Sequence, residues 1–497
     1  MMETMLERLA SWRGFRAVVV GDFMLDELVF GEAERLSADA PVPVLRVTRT
    51  ERRPGGAANL CLDLAALGGR VSAVGVVGHD EPADALRASL EREGVDAEGL
   101  VGDPARPTTQ KQNLIGLAQA RHPQKMFRLD RESRDAVSAA TADALVARAA
   151  AAAREADVVC IEDYNKGVCS EDVCQRVIEA ARRLGKPVLV DPASLDDYAR
   201  YRGATAITPN RTEAERATGL ATHETADRSH NAALARRLRG DLDLDAVVLT
   251  LDRHGALLLE REGEPVGEPV GVPTVAREVY DVTGAGDMML AGLAAARANG
   301  FEWAEAVAFA NAAAGLEVEQ FGVAPIPFER VYARILHEHA GEAGKVRTLE
   351  QARLESRARR GQGQTVVFTN GCFDLLHKGH VTLLERARSF GDYLVIGLNT
   401  DASVRRLKGD SRPVNNERDR ATVLAALEAV DAIVLFDEDT PEALIQAVEP
   451  DVLVKGADYA REEVVGGAFV ESRGGRIELV DLVEGYSTTG AIERLKG

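Results

Sequence analysis

Short apolar runs recur along the first 330 residues, at Ala17–Val20, Val158–Ile161, Val188–Val190, Ala206–Thr208 and Ala246–Thr250, each followed by a stretch rich in Ala, Leu and Arg. Continuous apolar strands alternating with helical stretches predict a mostly parallel sheet covered on both faces, because both sides of such strands are buried. Between Phe15 and Gln110 the pattern changes: Glu27–Phe30 and Pro41–Val47 read as extended, broken by Gly31, Pro41 and Pro43. Extended segments that contain proline suit edge strands, so a small accessory sheet is expected as a flap over the main one. Phe328, Val331, Tyr332, Ile335 and Leu336 keep i, i+3, i+4 spacing and predict an amphipathic helix that closes the first domain.

Residues 341–364 are charged, with Gly near both ends, and read as a linker carrying a short solvated helix from Thr348 to Arg359. Strand and helix then alternate again from Thr365–Thr369 through Tyr393–Leu398, Ala432–Phe436, Val452–Val454 and Ile477–Val480. The expected organisation is an α/β chain of two domains, 1–340 and 365–497, without an internal repeat.

Composition narrows the partners. Sixty Lys plus Arg against 79 Asp plus Glu give a net charge of -19 over 497 residues. That balance argues against nucleic acid and against a basic membrane-surface protein, both of which need a broad positive face. It leaves small anionic substrates open, since those need only local cations or a helix N-terminus. No apolar run approaches the roughly 18 residues that span a bilayer, and the first 14 residues carry charge where a signal peptide is apolar, so a cytoplasmic location is expected. Five scattered cysteines without a C-x-x-C pair suit reduced thiols, and neither a disulfide framework nor a zinc knuckle.

Candidate chemistry begins at Asp281-Val-Thr-Gly-Ala-Gly-Asp287, followed by the apolar stretch Met288–Leu293. Gly284, Ala285 and Gly286 let backbone N–H groups at a helix start close on an anion, and Asp287 would stand where it can take a proton from an attacking hydroxyl. A tight turn with aspartate as a helix cap explains the same residues equally well. Pro54-Gly-Gly-Ala-Ala-Asn59 opens another helix, Leu60–Leu67, ended by Gly68 and Gly69. Asn59 could meet sugar hydroxyls there, or the glycines could simply pack a turn on the sheet. Asp22 and Asp26 follow the first strand, where loops of open α/β sheets collect ligands.

Gly21-Asp22 with Asp26, Gly55-Gly56-Ala-Ala-Asn59, Thr208-Pro-Asn210 with Glu213, and Gly284-Ala-Gly-Asp287 together resemble the ribokinase family of sugar kinases, in the family's order, from about Phe15 to Leu336. The resemblance implies a ribokinase-like open parallel sheet, with Asp287 as catalytic base and Gly284, Ala285 and Gly286 as an anion hole. It also implies Asp22, Asp26, Gly55, Gly56 and Asn59 on the sugar, Asn210 and Glu213 positioning hydrated Mg²⁺, and Asn311 beside the adenine of ATP. More narrowly, Gly21-Asp-Phe-Met-Leu-Asp26, Ala38-Asp-Ala-Pro-Val-Pro-Val44 and Asp163-Tyr-Asn-Lys166-Gly resemble the heptose 7-phosphate kinase branch, which adds Asp163 and Lys166 to the substrate site. Lys125 and Arg128 are further cations for a sugar phosphate. Ala193, where a lysine is expected, and Met288, where a threonine is common, depart from that pattern.

In the second domain, Asn370-Gly-Cys-Phe-Asp-Leu-Leu-His377-Lys-Gly-His380 lies between a strand and the predicted helix Val381–Ala387. This places two imidazoles at a helix N-terminus, able to donate to nucleotide phosphates, with Gly379 allowing close backbone approach. No Cys, Asp or Glu at metal-ligand spacing completes a set there. Lys408 and the Arg412, Arg418, Arg420 cluster offer charge for a triphosphate, and Tyr486-Ser487-Thr488-Thr489 offers hydroxyls. The domain resembles nucleotidyltransferases of the H-x-G-H type, a Rossmann-like α/β fold. Its Val454-Lys455-Gly456-Ala-Asp458-Tyr459 and Arg412-Pro-Val-Asn-Asn-Glu417 segments resemble the adenylyltransferase half of bifunctional heptose enzymes. That implies His377, His380 and Lys408 at the reacting phosphates. Asn370, Gly371, Phe373, Arg412, Lys455, Gly456, Asp458, Tyr459 and Ser487–Thr489 would then contact the nucleotide.

The two resemblances together imply a bifunctional transferase of ADP-heptose synthesis for lipopolysaccharide core. Its implied partners are sugar phosphates, ATP and a separate phosphatase, in a homodimer. Another sugar phosphate, CTP in place of ATP, or one domain serving as a nucleotide-sensing scaffold remain open on the sequence.

Overall fold

The computed structural model describes residues 5, 8–118, 122–221, 227–261, 270–272, 284–319, 324–338, 344–457 and 460–481. Two compact units result: Arg13–Phe328, and Glu329–Gly497 together with Met1–Trp12.

In the first unit the apolar runs form a sheet whose strands are β1 (Phe15–Gly21), β4 (Gly69–Val77), β5 (Leu100–Gly102), β8 (Val158–Glu162), β9 (Val188–Asp191), β10 (Ala206–Ile207), β11 (Ala246–Thr250), β12 (Ala256–Glu260) and β13 (Val270–Val272). Their order is β13-β12-β11-β10-β9-β8-β1-β4-β5. All neighbours are parallel except β11–β12 and β12–β13. The interior strands are apolar on both faces because helices cover both, and Val18, Val159, Val190 and Val247 are all buried. Register matters more for function: Gly21 pairs with Glu162, and Glu162 with Asp191, so the carboxyl ends of β1, β8 and β9 finish level with one another.

The accessory sheet consists of β2 (Phe23–Leu36), β3 (Pro43–Gly56), β6 (Thr109–Ala118) and β7 (His122–Arg131) in the order β3-β2-β6-β7. Pro43 and Pro54 lie on the edge strand β3, where a missing N–H costs no interior ladder bond.

The second unit carries an all-parallel sheet of β14 (Val346–Arg347), β15 (Val366–Gly371), β16 (Tyr393–Asn399), β17 (Ala432–Phe436), β18 (Val452–Gly456) and β19 (Arg476–Val480), ordered β14-β17-β16-β15-β18-β19. The segment that composition reads as a linker contributes here. Val346–Arg347 is its edge strand, and the Leu349–Gly361 helix, capped by Thr348 and Gln351, buries Ala352, Leu354 and Ala358. The amphipathic Phe328–Glu338 helix, expected to end the first domain, also belongs to this unit from Glu329 onward. Glu329 pairs with Arg357 at 3.1 Å. The apolar face of that helix was legible; which core it joins depends on partners far along the chain.

Among the described residues no helix is long and apolar enough to cross a membrane.

Candidate active sites

At the level strand tips of the first unit lies a cavity of about 440 Å³ lined by Glu162, Asp163, Tyr164, Asp191, Glu213 and Asp287, among others. The Ala285–Ala298 helix starts here. Gly284 caps it at φ 91°, a left-handed conformation that a Cβ disfavours, and Asp287 in its first turn is buried. Tyr164 Oη donates to Asp287 Oδ1 at 2.8 Å, and Asn59 Nδ2 donates to Asp287 Oδ2 at 2.8 Å. Burial pushes the Asp287 carboxyl up to about 6, against the pull of those two hydrogen bonds. Asp281–Thr283, the start of that motif, lie outside the described residues.

Glu162, Asp191 and Asp287 bring carboxylate oxygens within 4.8 Å of one another. Burial, joined by mutual repulsion, raises Glu162 and Asp191 well above the usual carboxylate range. Such a crowd of hard oxygens, short of positive charge, fits a divalent cation such as Mg²⁺. Sequence reasoning missed Glu162 and Asp191, although each is an acid that ends an apolar strand run. Asn210 and Glu213 cap the Arg211–Thr218 helix reciprocally, Asn210 Oδ1 accepting from the Glu213 N–H and Glu213 Oε2 from the Asn210 N–H, both at 2.9 Å. Glu213 reaches the cavity wall from that position.

The predicted sugar ligands divide into two groups. The Asp22 carboxylate accepts the backbone N–H groups of Tyr164, Lys166 and Val168 at 2.9, 3.0 and 3.3 Å, so it holds the loop after β8. Asp163 is similarly engaged, accepting from Tyr201 Oη at 2.6 Å, Arg200 Nη1 at 3.1 Å and the Asn165 N–H at 2.7 Å. Lys166 is paired with Glu132 at 2.5 Å. Asp26 differs: its Oδ1 is buried and has no hydrogen-bond partner, and Lys111, Arg128 and Lys125 all act on it. A Cβ on Gly55 would stand 2.6 Å from Asp26 Oδ2, and Gly56, at φ 56°, opens the Ala57–Ala66 helix. Lys111, absent from the sequence expectation, lies 5.0 Å from the centre of the Tyr164 ring and also lowers Asp287. Ala193 lines the cavity, Met288 is fully buried in the core, and Asn311 is buried on the Trp303–Val318 helix.

In the second unit β15 leads through Asn370 and Gly371 to the Lys378–Arg388 helix, with His377 at its N-cap. The His377 and His380 rings stack 3.9 Å apart, and Phe373, at φ 43°, places its ring 5.3 Å from that of His380. Burial, then His377 and Lys408, bring His380 down to about 4, so it is a neutral imidazole at physiological pH. Lys408 itself is exposed.

Arg412 and Arg420 act on the protein. Arg412 Nε donates to Asp374 Oδ2 at 2.5 Å. Arg420, buried, donates to the Cys372 carbonyl at 2.6 Å and to Asp401 Oδ1 at 2.7 Å, bracing the loop. Lys455 Nζ donates to Asn370 Oδ1 at 2.5 Å, and Gly456 ends β18. Asp458, Tyr459, Ser487, Thr488 and Thr489 lie outside the described residues.

A parallel sheet with a buried acid at a glycine-started helix, and a second parallel sheet with paired imidazoles at another helix start, define a sugar kinase joined to a nucleotidyltransferase. Residues 15–329 match the pfkB family of carbohydrate kinases, and residues 368–477 match the cytidylyltransferase-like family. The chain is 46% identical over 486 residues to the bifunctional protein HldE of Geotalea uraniireducens, covering 97% of this chain and 96% of that one. It is 44% identical over 500 residues to the HldE protein of Methylobacillus flagellatus, covering all of both. Arabidopsis thaliana ribokinase, solved with ribose and ATP, shares the first fold at a TM-score of 0.50 and 21% identity, over 65% of this chain and 99% of that one. Escherichia coli phosphofructokinase-2, solved with potassium, shares it at 0.51 and 19%, over the same shares. The chain belongs to the bifunctional HldE family, its first part a pfkB-type kinase and its second a nucleotidyltransferase.

Proposed function

We propose that the chain makes ADP-heptose in two separate steps. The first phosphorylates O1 of D-glycero-β-D-manno-heptose 7-phosphate with ATP; the second transfers adenylyl from ATP to heptose 1-phosphate and releases pyrophosphate. The observation that carries the first step is the Asp287 carboxylate, held from both sides by Tyr164 and Asn59 at the N-terminus of the Ala285–Ala298 helix. Its raised proton affinity suits a group that takes the O1 proton as the bond to the γ-phosphorus forms and ADP leaves.

The backbone N–H groups of Gly284–Gly286 face the phosphoryl group, while Asp26 faces the sugar hydroxyls, with Lys111, Lys125 and Arg128 beside it for the sugar phosphate. Asp22 and Asp163 shape the loop that carries Tyr164. Glu162 and Asp191, with Glu213 at the wall, are the residues that would hold Mg²⁺ beside Asp287. When bound, the ion spreads the charge of the γ-phosphate. Asn311 borders the adenine.

In the second step the sugar 1-phosphate is already an anionic nucleophile, so the work is alignment of two anions and stabilisation of pyrophosphate. His377 and the neutral His380 donate N–H groups to the α- and β-phosphates, and Lys408 adds charge. Asn370, Gly371 and Phe373 with Lys455 and Gly456 flank the nucleotide, and Asp458, Tyr459 and Ser487–Thr489 complete its site. Arg412 orders the loop through Asp374.

The kinase reading covers the unit Arg13–Phe328 and the nucleotidyltransferase 365–497, with residues 346–361 serving the second fold. A separate phosphatase removes the 7-phosphate between the steps, in the cytoplasm. Exposed Leu36, Val47, Phe127 and Leu129 on the accessory sheet support a homodimer.

One experiment tests the assignment: incubation with heptose 7-phosphate, then with heptose 1-phosphate, each with ATP or CTP, read by mass spectrometry. A 1,7-bisphosphate from the first and an ADP-sugar from the second are expected. Absence of both sinks the heptose assignment, and a CDP-sugar replaces ATP with CTP in the second step.

A further inference from the structure

Behind Asp287 lies a buried carboxyl that the reaction does not touch. Asp63 sits on the Ala57–Ala66 helix one turn beyond Asn59, and none of its surface is exposed. That helix packs against Ala285–Ala298, which in turn packs against Trp303–Val318. Asn59 Nδ2 donates to two carboxylates at once, 2.8 Å to Asp287 Oδ2 and 3.2 Å to Asp63 Oδ2. Both partners are acceptors there, so the amide nitrogen, and not its oxygen, must face them. Both Asn59 amide hydrogens are thereby engaged, leaving Oδ1 as the atom able to meet substrate.

We propose that Asp63 is a positioning residue for phosphoryl transfer: by holding one N–H of Asn59 it aims the other at Asp287. The proposal rests on the reading of Asp287 as the base. The groups facing Asp63 are all acidic or neutral: Glu317 from the Trp303–Val318 helix, Asp287 from the Ala285–Ala298 helix, and Cys61 on its own helix. Asp63 and Glu317 are both buried, and burial, with the Glu317 and Asp287 carboxyls beside it, raises Asp63 well above the usual carboxylate range. A neutral Asp63 still accepts from Asn59 through its carbonyl oxygen. What Asn59 needs behind it is thus an acceptor, not a charge. Asp287 in turn faces Asn59, Tyr164, Lys111, Asp26, Glu162, Asp191 and Asp63, and of these Asn59 gives the largest pull toward the ionised form.

The test compares Asp63→Leu, Asp63→Asn and Asp287→Asn in the full chain. The kcat and KM of phosphoryl transfer are measured, and adenylyl transfer by the same molecules serves as internal standard. Asp63→Leu removes the acceptor and is expected to lower kcat for phosphoryl transfer by about tenfold to a hundredfold, the range for a misaligned general base. KM for the sugar should stay within about twofold, because Asp63 stands behind Asn59 and touches no substrate. Asp63→Asn keeps an acceptor oxygen and should recover most of the lost rate. A purely structural Asp63 would lower thermal stability, and Asp63→Asn would then restore no rate beyond what it restores in stability.

An unchanged kcat in Asp63→Leu, or Asp63→Asn as slow as Asp63→Leu, overturns the proposal. Should Asp63→Leu fail to fold by circular dichroism, Asp63→Ala is read on the same criteria. Phosphoryl transfer that survives in Asp287→Asn overturns the base itself and the proposal with it. Loss in Asp287→Asn beside an unaffected Asp63→Leu overturns the Asp63 proposal alone.

Discussion

Tyr164 Oη reaches Asp287 Oδ1 across 2.8 Å although 123 positions separate the two residues. The tyrosine sits on the loop that Asp22 pins by its backbone, so the hydroxyl arrives in a set place and holds one oxygen of the base. Tyr164→Phe removes one of the two bonds that favour ionised Asp287. The acid limb of the kinase pH profile should rise, and kcat at pH 6 should fall by about tenfold, the worth of one hydrogen bond to a charged group. A profile that matches the parent chain would show that Asn59 alone sets the base.

The two activities should separate cleanly. Asp287→Asn is expected to abolish the bisphosphate and leave ADP-sugar formation intact, while His380→Ala does the reverse, each assayed on the same preparation by mass spectrometry. Loss of both products from either substitution would break the two-site reading.

Acid should also separate them. A carboxylate raised to about 6 is protonated, and useless as a base, below that pH, so kcat/KM for phosphorylation should fall as pH drops through 6. His380, lowered to about 4, stays neutral over that interval, so adenylyl transfer should show no limb near the usual imidazole value of about 6.5. Raising Mg²⁺ should shift the kinase limb to lower pH, because a cation among Glu162, Asp191 and Asp287 favours their charged forms. An Mg²⁺-independent limb would place the ion elsewhere.

Gly292 lets two helices touch: a Cβ there would lie 2.7 Å from Ala310 Cα. Gly292→Ala should therefore push apart the Ala285–Ala298 and Trp303–Val318 helices and cost about 1–3 kcal/mol, the usual penalty of overpacking a core. Thermal unfolding should show the first transition lowered and adenylyl transfer unchanged.

Arg420 makes the corresponding structural test in the second unit. With its side chain 1% exposed, it ties Cys372 to Asp401. Arg420→Met leaves a buried carbonyl and a half-buried carboxylate without their donor and should cost about 3 kcal/mol. Adenylyl transfer should fall with it, measured by pyrophosphate release, while phosphorylation persists.

Much of this was legible without coordinates. A run such as Val158–Ile161 can only be a strand buried on both faces, and Gly284-Ala-Gly-Asp287 or His377-Lys-Gly-His380 carries its local geometry within a few residues. The named strand runs and both helix-borne motifs were therefore determined by the sequence, because each depends on neighbours within a turn or two, while the helices after Gly56 and His377 start a turn earlier than Leu60 and Val381. The tertiary structure decided what no local window holds. It levelled Gly21, Glu162 and Asp191 on adjacent strands, set Asp22 and Asp163 against the loop carrying Tyr164, and tied Arg420 to Cys372 and Asp401. It also attached the Phe328–Glu338 helix to the second unit from Glu329 onward. The reason is physical: a carboxylate or guanidinium looks the same in sequence whether it meets substrate or backbone, and burial and register, set by partners up to hundreds of residues away, choose between them.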